Sequence, residues 1–191
     1  RYSPREVLID ANGLGLGLCD ELIKTHTDAR GRELPAYGFF NNDDYKKIQP
    51  KDSIPILYSM KANGPLKSKI NGNAYSRLNG GLVRFLISEQ EARNALLGTK
   101  LGQKMTMRER VQRLLPHEQT TKLFEEMGNL RVKNVGMDIV LEAINKRFHD
   151  DRYYAFAYGL WRIKEIEEAQ MKKQRRRGAG KRNLIFFTGG A

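Results

Sequence analysis

The sequence predicts an α/β domain in which helices flank a central mixed sheet, and three observations carry that prediction. The apolar run Val7-Leu8-Ile9 leads into Asp10, with Gly13, Gly15 and Gly17 following, the pattern of a buried strand that turns sharply on leaving a sheet. Further apolar runs at 54–60 and 82–87 are separated by segments whose apolar residues recur at helical spacing, so strands alternate with helices. The stretch from Asp151 to Met171 carries two apolar stripes, Phe156, Leu160, Ile163 and Ile166 on one and Tyr154, Tyr158 and Trp161 on the other. Two stripes mark a long helix lying largely buried against the sheet.

Each element follows from local chemistry. Leu18, Leu22 and Ile23 predict a short helix over 18–24, and the polar stretch 26–32 with Gly31 predicts a loop. Residues 36–41 are aromatic and β-prone, and the cluster Asn41, Asn42, Asp43 and Asp44 reads as a strand stop. In the run 54–60, Pro55 restricts the strand to a sheet edge or places the proline at its start. Residues 61–65 turn the chain. Leu66, Ile70, Ala74 and Leu78 at steps of four then predict a helix that Asn79-Gly80-Gly81 stops. The run 82–87 is the clearest internal strand, and the helix after it starts at Ser88, with Glu91 completing a capping box. Glu89 lies in that helix's first turn, where acids only favour the dipole. After a loop at 98–103, helices are expected over 105–115 and 116–127, meeting at Pro116, followed by short extended segments at 130–135 and 137–144.

Composition narrows the function. The 191 residues suit one domain, expected over 1–171, with a basic, flexible tail over 172–191. The net charge is +12, and subtracting the tail's Lys172, Lys173, Arg175, Arg176, Arg177, Lys181 and Arg182 still leaves the body about +5. A basic body favours a polyanion, of which nucleic acid is the usual one. Beyond the basic run, Leu184-Ile185-Phe186-Phe187 is apolar enough to add an edge strand or dock on a partner. Cys19 is the single cysteine, which excludes an internal disulfide and fits a reducing compartment. His26, His117 and His149 are scattered, against a His/Cys zinc site. No apolar run nears the ~20 residues of a membrane span, and no signal peptide is visible. A chain that opens on Arg1 and enters a strand within a few residues reads as a fragment cut at a domain boundary.

Acidic residues sit at three comparable places: Asp10 at the end of the first strand, Glu89 at the end of the internal strand, and Asp150 with Asp151 at the start of the last helix. One aspartate at a helix start is a cap. Two together, preceded by His149, exceed what capping needs, and like charges so close repel unless a cation intervenes. Strand ends are where α/β sheets bind ligands. Hard oxygen donors there suit Mg2+ or Mn2+, and two such ions about 4 Å apart clamp a phosphodiester for hydrolysis.

Ile9-Asp10-Ala11-Asn12-Gly13-Leu14-Gly15, the 58–63 segment Tyr-Ser-Met-Lys-Ala-Asn, Phe85-Leu86-Ile87-Ser88-Glu89 and His149-Asp150-Asp151-Arg152 together resemble the C-terminal nuclease domain of tailed-bacteriophage terminase large subunits. The resemblance spans roughly residues 5–170 and rests on the order and spacing of the acids. It implies an RNase H-like (RuvC-like) fold and an endonuclease that uses two Mg2+ or Mn2+ ions to cut concatemeric viral DNA during genome packaging, with little sequence specificity. It implies Asp10 as the ligand bridging both metals, Glu89 or Glu91 as the middle acid, Asp150 or Asp151 as the last, and His149 as a residue that positions water or shuttles a proton. It also implies double-stranded DNA as substrate, no membrane, and the host cell cytoplasm as location. An N-terminal ATPase domain, the small terminase subunit and the portal would be partners of the full-length protein. No G-x-x-x-x-G-K-[ST] phosphate loop occurs, so no ATPase is expected in this chain.

Three alternatives stand beside that expectation. One is another RNase H-like nuclease or resolvase. A second is an actin-like or sugar-kinase-like phosphotransferase, whose first strand also ends in Asp-x-x-Gly but which needs a second phosphate loop that the sequence lacks. The third is a non-catalytic, basic nucleic-acid-binding module whose acids are only caps.

Overall fold

The computed structural model describes residues 4–11, 15–135, 138–145 and 149–179. Its centre is a three-stranded parallel sheet in the order β1 (Val7–Asp10), β5 (Ile54–Met60), β4 (Tyr37–Phe39). Two short antiparallel pairs stand apart from it: β2 (His26–Thr27) with β3 (Glu33–Leu34), and β6 (Leu130–Val135) with β7 (Asp138–Ala143). The chain is therefore α/β as expected, but the central sheet is parallel where a mixed one was expected, and the antiparallel pairs form ladders of their own.

Helices cover both faces of the parallel sheet. On one side α1 (Gly15–Leu22) and α2 (Asp43–Ile48) close over Ile9, Phe39 and Leu57, with Cys19, Ile23 and Tyr45 filling the layer. On the other, α3 (Gly64–Asn79) and α7 (Asp151–Ala179) pack Ile70, Ala74, Tyr153, Ala157, Tyr158 and Leu160 against Met60 and Ala62. Ile70 and Ala74, from the stripe predicted for α3, are fully buried, and a fully buried isoleucine contributes about 1.5–3 kcal/mol. Arg162 ties α7 to the start of β1 by a two-pronged ion pair with Glu6, and its guanidinium lies 4.3 Å from the centre of the Tyr58 ring.

β5 is the middle strand of this sheet, with Pro55 as its second residue. The register slips between Tyr37↔Ile54 and Phe39↔Leu57, so one extra residue is accommodated where Pro55 can give no ladder hydrogen bond.

Several expected elements differ. The run 82–87 joins no ladder. Leu82, Leu86 and Ile87 are exposed, while Val83 and Phe85 turn inward, Phe85 onto Phe124 and Phe156 with ring centres 4.8 and 5.5 Å away. Its alternation is that of extended backbone lying on helices. Asn42 caps α2 by accepting from Asp44 N and Tyr45 N, so the 41–44 cluster starts a helix where a strand stop was expected. The expected loop 26–32 holds β2, and the loop at 98–103 holds most of α5 (Lys100–Lys104). The two helices expected around Pro116 are one, α6 (Met107–Gly128). A mid-helix proline costs about 3 kcal/mol. Contacts of α6 with α4 (Glu89–Leu97) and α7 override it. Finally, α7 runs on to Ala179, so residues 172–179 of the expected tail are helical. Gly13 and the apolar 184–187 run lie outside the described residues.

Candidate functional site

The cleft of interest opens where β1 ends and α7 begins. Asp10 is the last residue of β1, held in register opposite Met60, and Ala11 N donates to Met60 O at 2.9 Å. The chain then returns so closely that a Cβ on Gly15 would lie 1.7 Å from the Asp10 carbonyl oxygen. Gly15 is thus what lets α1 start against the strand end, whereas a Cβ at Gly17 would meet open space.

Asp150 and Asp151 come to the same cleft from the start of α7. Both are placed to cap that helix, but among the described residues neither carboxylate takes its first-turn N–H groups. The first-turn donors Arg152 N and Tyr153 N go to the buried carboxylate of Glu126, at 2.9 and 3.1 Å, and the Arg152 guanidinium donates to the same group at 2.7 Å. A side chain from α6 therefore satisfies the end of α7, which leaves both aspartates turned to the cleft.

The cleft, about 370 Å³, is lined by Leu8, Asp10, Lys67, Asp150, Asp151, Tyr154, Ala155 and Tyr158. Lys67 comes from the first turn of α3, which Asn63 caps by accepting from Leu66 N at 3.0 Å. Its ammonium stands 5.0 Å from the centre of the Tyr154 ring. Burial raises the Tyr158 phenol to about 12, helped by the charge of Asp10, then by Tyr154 and Asp150. Burial and Asp150 push Tyr154 upward as well. Both phenols therefore stay protonated at neutral pH.

The structure thus brings together Asp10, Asp150 and Asp151 and leaves out the other expected site residues. Glu89 sits in the first turn of α4, ion-paired to Arg93, with its backbone N–H donated to Thr121. Glu91 completes the expected capping box with Ser88. His149 is exposed and does not line the cleft. Lys67, Tyr158 and Glu126 were not singled out for the site. Tyr154 lies four residues after Asp150, and Tyr158 seven after Asp151, helical spacings that place them on the aspartates' face. No comparable local signal marks Glu126.

No protein-family model matches the chain, and no curated protein or solved structure matches it. No family name follows from these comparisons.

The donor chemistry of the cleft suits a hard divalent cation: Asp10, Asp150 and Asp151 supply carboxylates, and among the described residues neither sulfur nor imidazole lines it. Among the described residues, no three of His, Cys, Asp and Glu form a preformed metal-holding group.

Proposed function

We propose that this chain is a divalent-metal-dependent DNA endonuclease of RNase H-like kind, the nuclease domain of a tailed-phage large terminase subunit. The observation that carries the reading is the meeting of Asp10 with Asp150 and Asp151 at the end of a parallel strand, in a chain of net charge +12. An acidic centre in a basic body is the charge plan of an enzyme that grips a polyanion while holding metal beside the bond to be cut.

Asp10, Asp150 and Asp151 would hold one or two Mg2+ or Mn2+ ions, which when bound lower the pKa of water and offset charge on the phosphodiester. The chain's own groups supply the rest. Pairing of β1 with β5 fixes the backbone of Asp10, and Glu126 fixes the backbone from which Asp150 and Asp151 project. Lys67 brings a positive charge to the edge of the carboxylates. Exposed Lys172, Lys173, Arg175 and Arg176 on α7 offer phosphate contacts. Contacts of that kind hold DNA without reading its sequence, in keeping with little cleavage specificity. The substrate would be concatemeric viral DNA in the host cytoplasm, with an ATPase domain, the small terminase subunit and the portal as partners of the full-length protein.

Supercoiled plasmid incubated with the protein and Mn2+ should be nicked and then linearised, with no cleavage in EDTA. Asp10→Ala should lower the rate by on the order of 10²–10³. Undiminished cutting by a purified Asp10→Ala protein, or salt-sensitive DNA binding by a metal-loaded wild type that never cuts, would sink the reading.

A further inference from the structure

The hydroxyl of Tyr158 is out of place in a well-satisfied core. Tyr158 is only 3% exposed, and among the described residues its Oη has no hydrogen-bond partner. The comparable tyrosines are all satisfied: Tyr45 donates to Asp20 at 2.8 Å, Tyr153 to Asn71 at 3.2 Å and Tyr58 to Glu165 at 3.0 Å. A buried hydroxyl left unpaired costs stability, and native proteins keep few of them. The residue that carries it, Tyr158, lines the cleft of Asp10, Asp150 and Asp151. Asp10 and Asp150 line the same cleft, yet among the described residues neither accepts a hydrogen bond from the phenol.

Lys67 adds a second donor to the same cleft. The cleft therefore combines two donors, a phenol and an ammonium, with three carboxylates. A ligand that complements both sets carries anionic oxygens for the donors and a cation for the acceptors, as a metal-bound phosphate does.

We infer that Tyr158 Oη and Lys67 Nζ form a phosphate-oxygen subsite in this cleft, Tyr158 donating a hydrogen bond to a non-bridging oxygen of the bound phosphate. As applied to DNA, the inference rests on the nuclease reading above. The subsite itself is defined by phosphate chemistry and is testable without cleavage.

Tyr158→Phe removes the hydroxyl and nothing else. The variant should melt at or above the wild-type temperature without ligand, because an unpaired buried group is gone. Mg2+ alone should raise Tm equally in both proteins. Inorganic phosphate added to the Mg2+-loaded proteins should raise Tm further in the wild type, with the apparent Kd weakened about tenfold in Tyr158→Phe and weakened likewise in Lys67→Met. The inference is overturned if Tyr158→Phe melts below the wild type, if it binds phosphate as tightly, or if the wild type shows no phosphate-dependent shift. A wild type that binds Mg2+ and phosphate through Tyr158 but cuts no plasmid overturns the nuclease reading and leaves the subsite standing. A wild type that cuts, beside a Tyr158→Phe protein that cuts and binds phosphate equally well, does the reverse.

Discussion

Among the helices that begin in acid, α4 and α7 use it in opposite ways. At the start of α4 every acid is spent locally: Glu91 closes the capping box with Ser88, and Glu89 pairs with Arg93 one turn on. At the start of α7 the capping is done from another helix by Glu126, and Asp150 and Asp151 line a cleft with Asp10. The sequences look alike, polar residues followed by acids and an apolar stripe. What separates them is where the first-turn N–H groups find their acceptor. An acid becomes available for chemistry when something else caps its helix.

The sharpest way to break this contrast is to remove the remote cap. Glu126→Ala leaves the first-turn donors of α7 and the Arg152 guanidinium without their buried acceptor, and should cost about 3 kcal/mol in a urea titration. With the donors orphaned, Asp150 holds the N-cap position and is the nearest replacement cap, so cleavage should fall along with stability. An Ala variant that loses stability but cuts at the wild-type rate would show that Glu126 does not keep the aspartates in place. Glu89→Ala probes the other helix. It removes only a partly exposed pair with Arg93, worth under about 1 kcal/mol, and plasmid nicking should stay within about threefold of wild type. A loss like that of Asp10→Ala would restore Glu89 to the site.

The smallest effect is read by pH. The hydroxyl and backbone N–H of Ser88 hold the Glu91 carboxyl below its ordinary value of 4.5. A carboxylate depressed in the folded state stabilises above its unfolded pKa and loses that contribution as pH falls through the folded one. Wild type should therefore melt above Glu91→Gln at neutral pH, with the gap closing as pH drops through and below about 4.5. A gap that stays constant from pH 7 to pH 3 would rule out charge as the basis of this cap.

What was legible in the sequence was what is decided locally. The strand ending at Asp10, the buried stripe of α3 and the Ser88–Glu91 box depend on neighbours within a turn or two. The misread elements depend on distant partners. Phe85 settles on rings from α6 and α7, and α6 passes through Pro116 because its packing outweighs the lost bond. The site divides in the same way. Asp10, Asp150 and Asp151 announce themselves as acids beside turns, and Tyr158 follows from helical spacing once Asp151 is suspected. The Glu126 cap is invisible until α6 is laid against α7, and Glu89, matched to the site by residue type, pairs with Arg93 outside this cleft.

One feature of α7 reaches beyond the cleft. It is a single helix from Asp151 to Ala179, with exposed lysines and arginines toward its far end. At about 1.5 Å per residue, Arg176 lies about 37 Å along the axis from Asp151. That span matches about eleven base pairs of duplex, close to one full turn of B-form DNA. On the nuclease reading the helix is a ruler. A duplex held along it would show the same strand to the basic end and to the carboxylates, one turn apart.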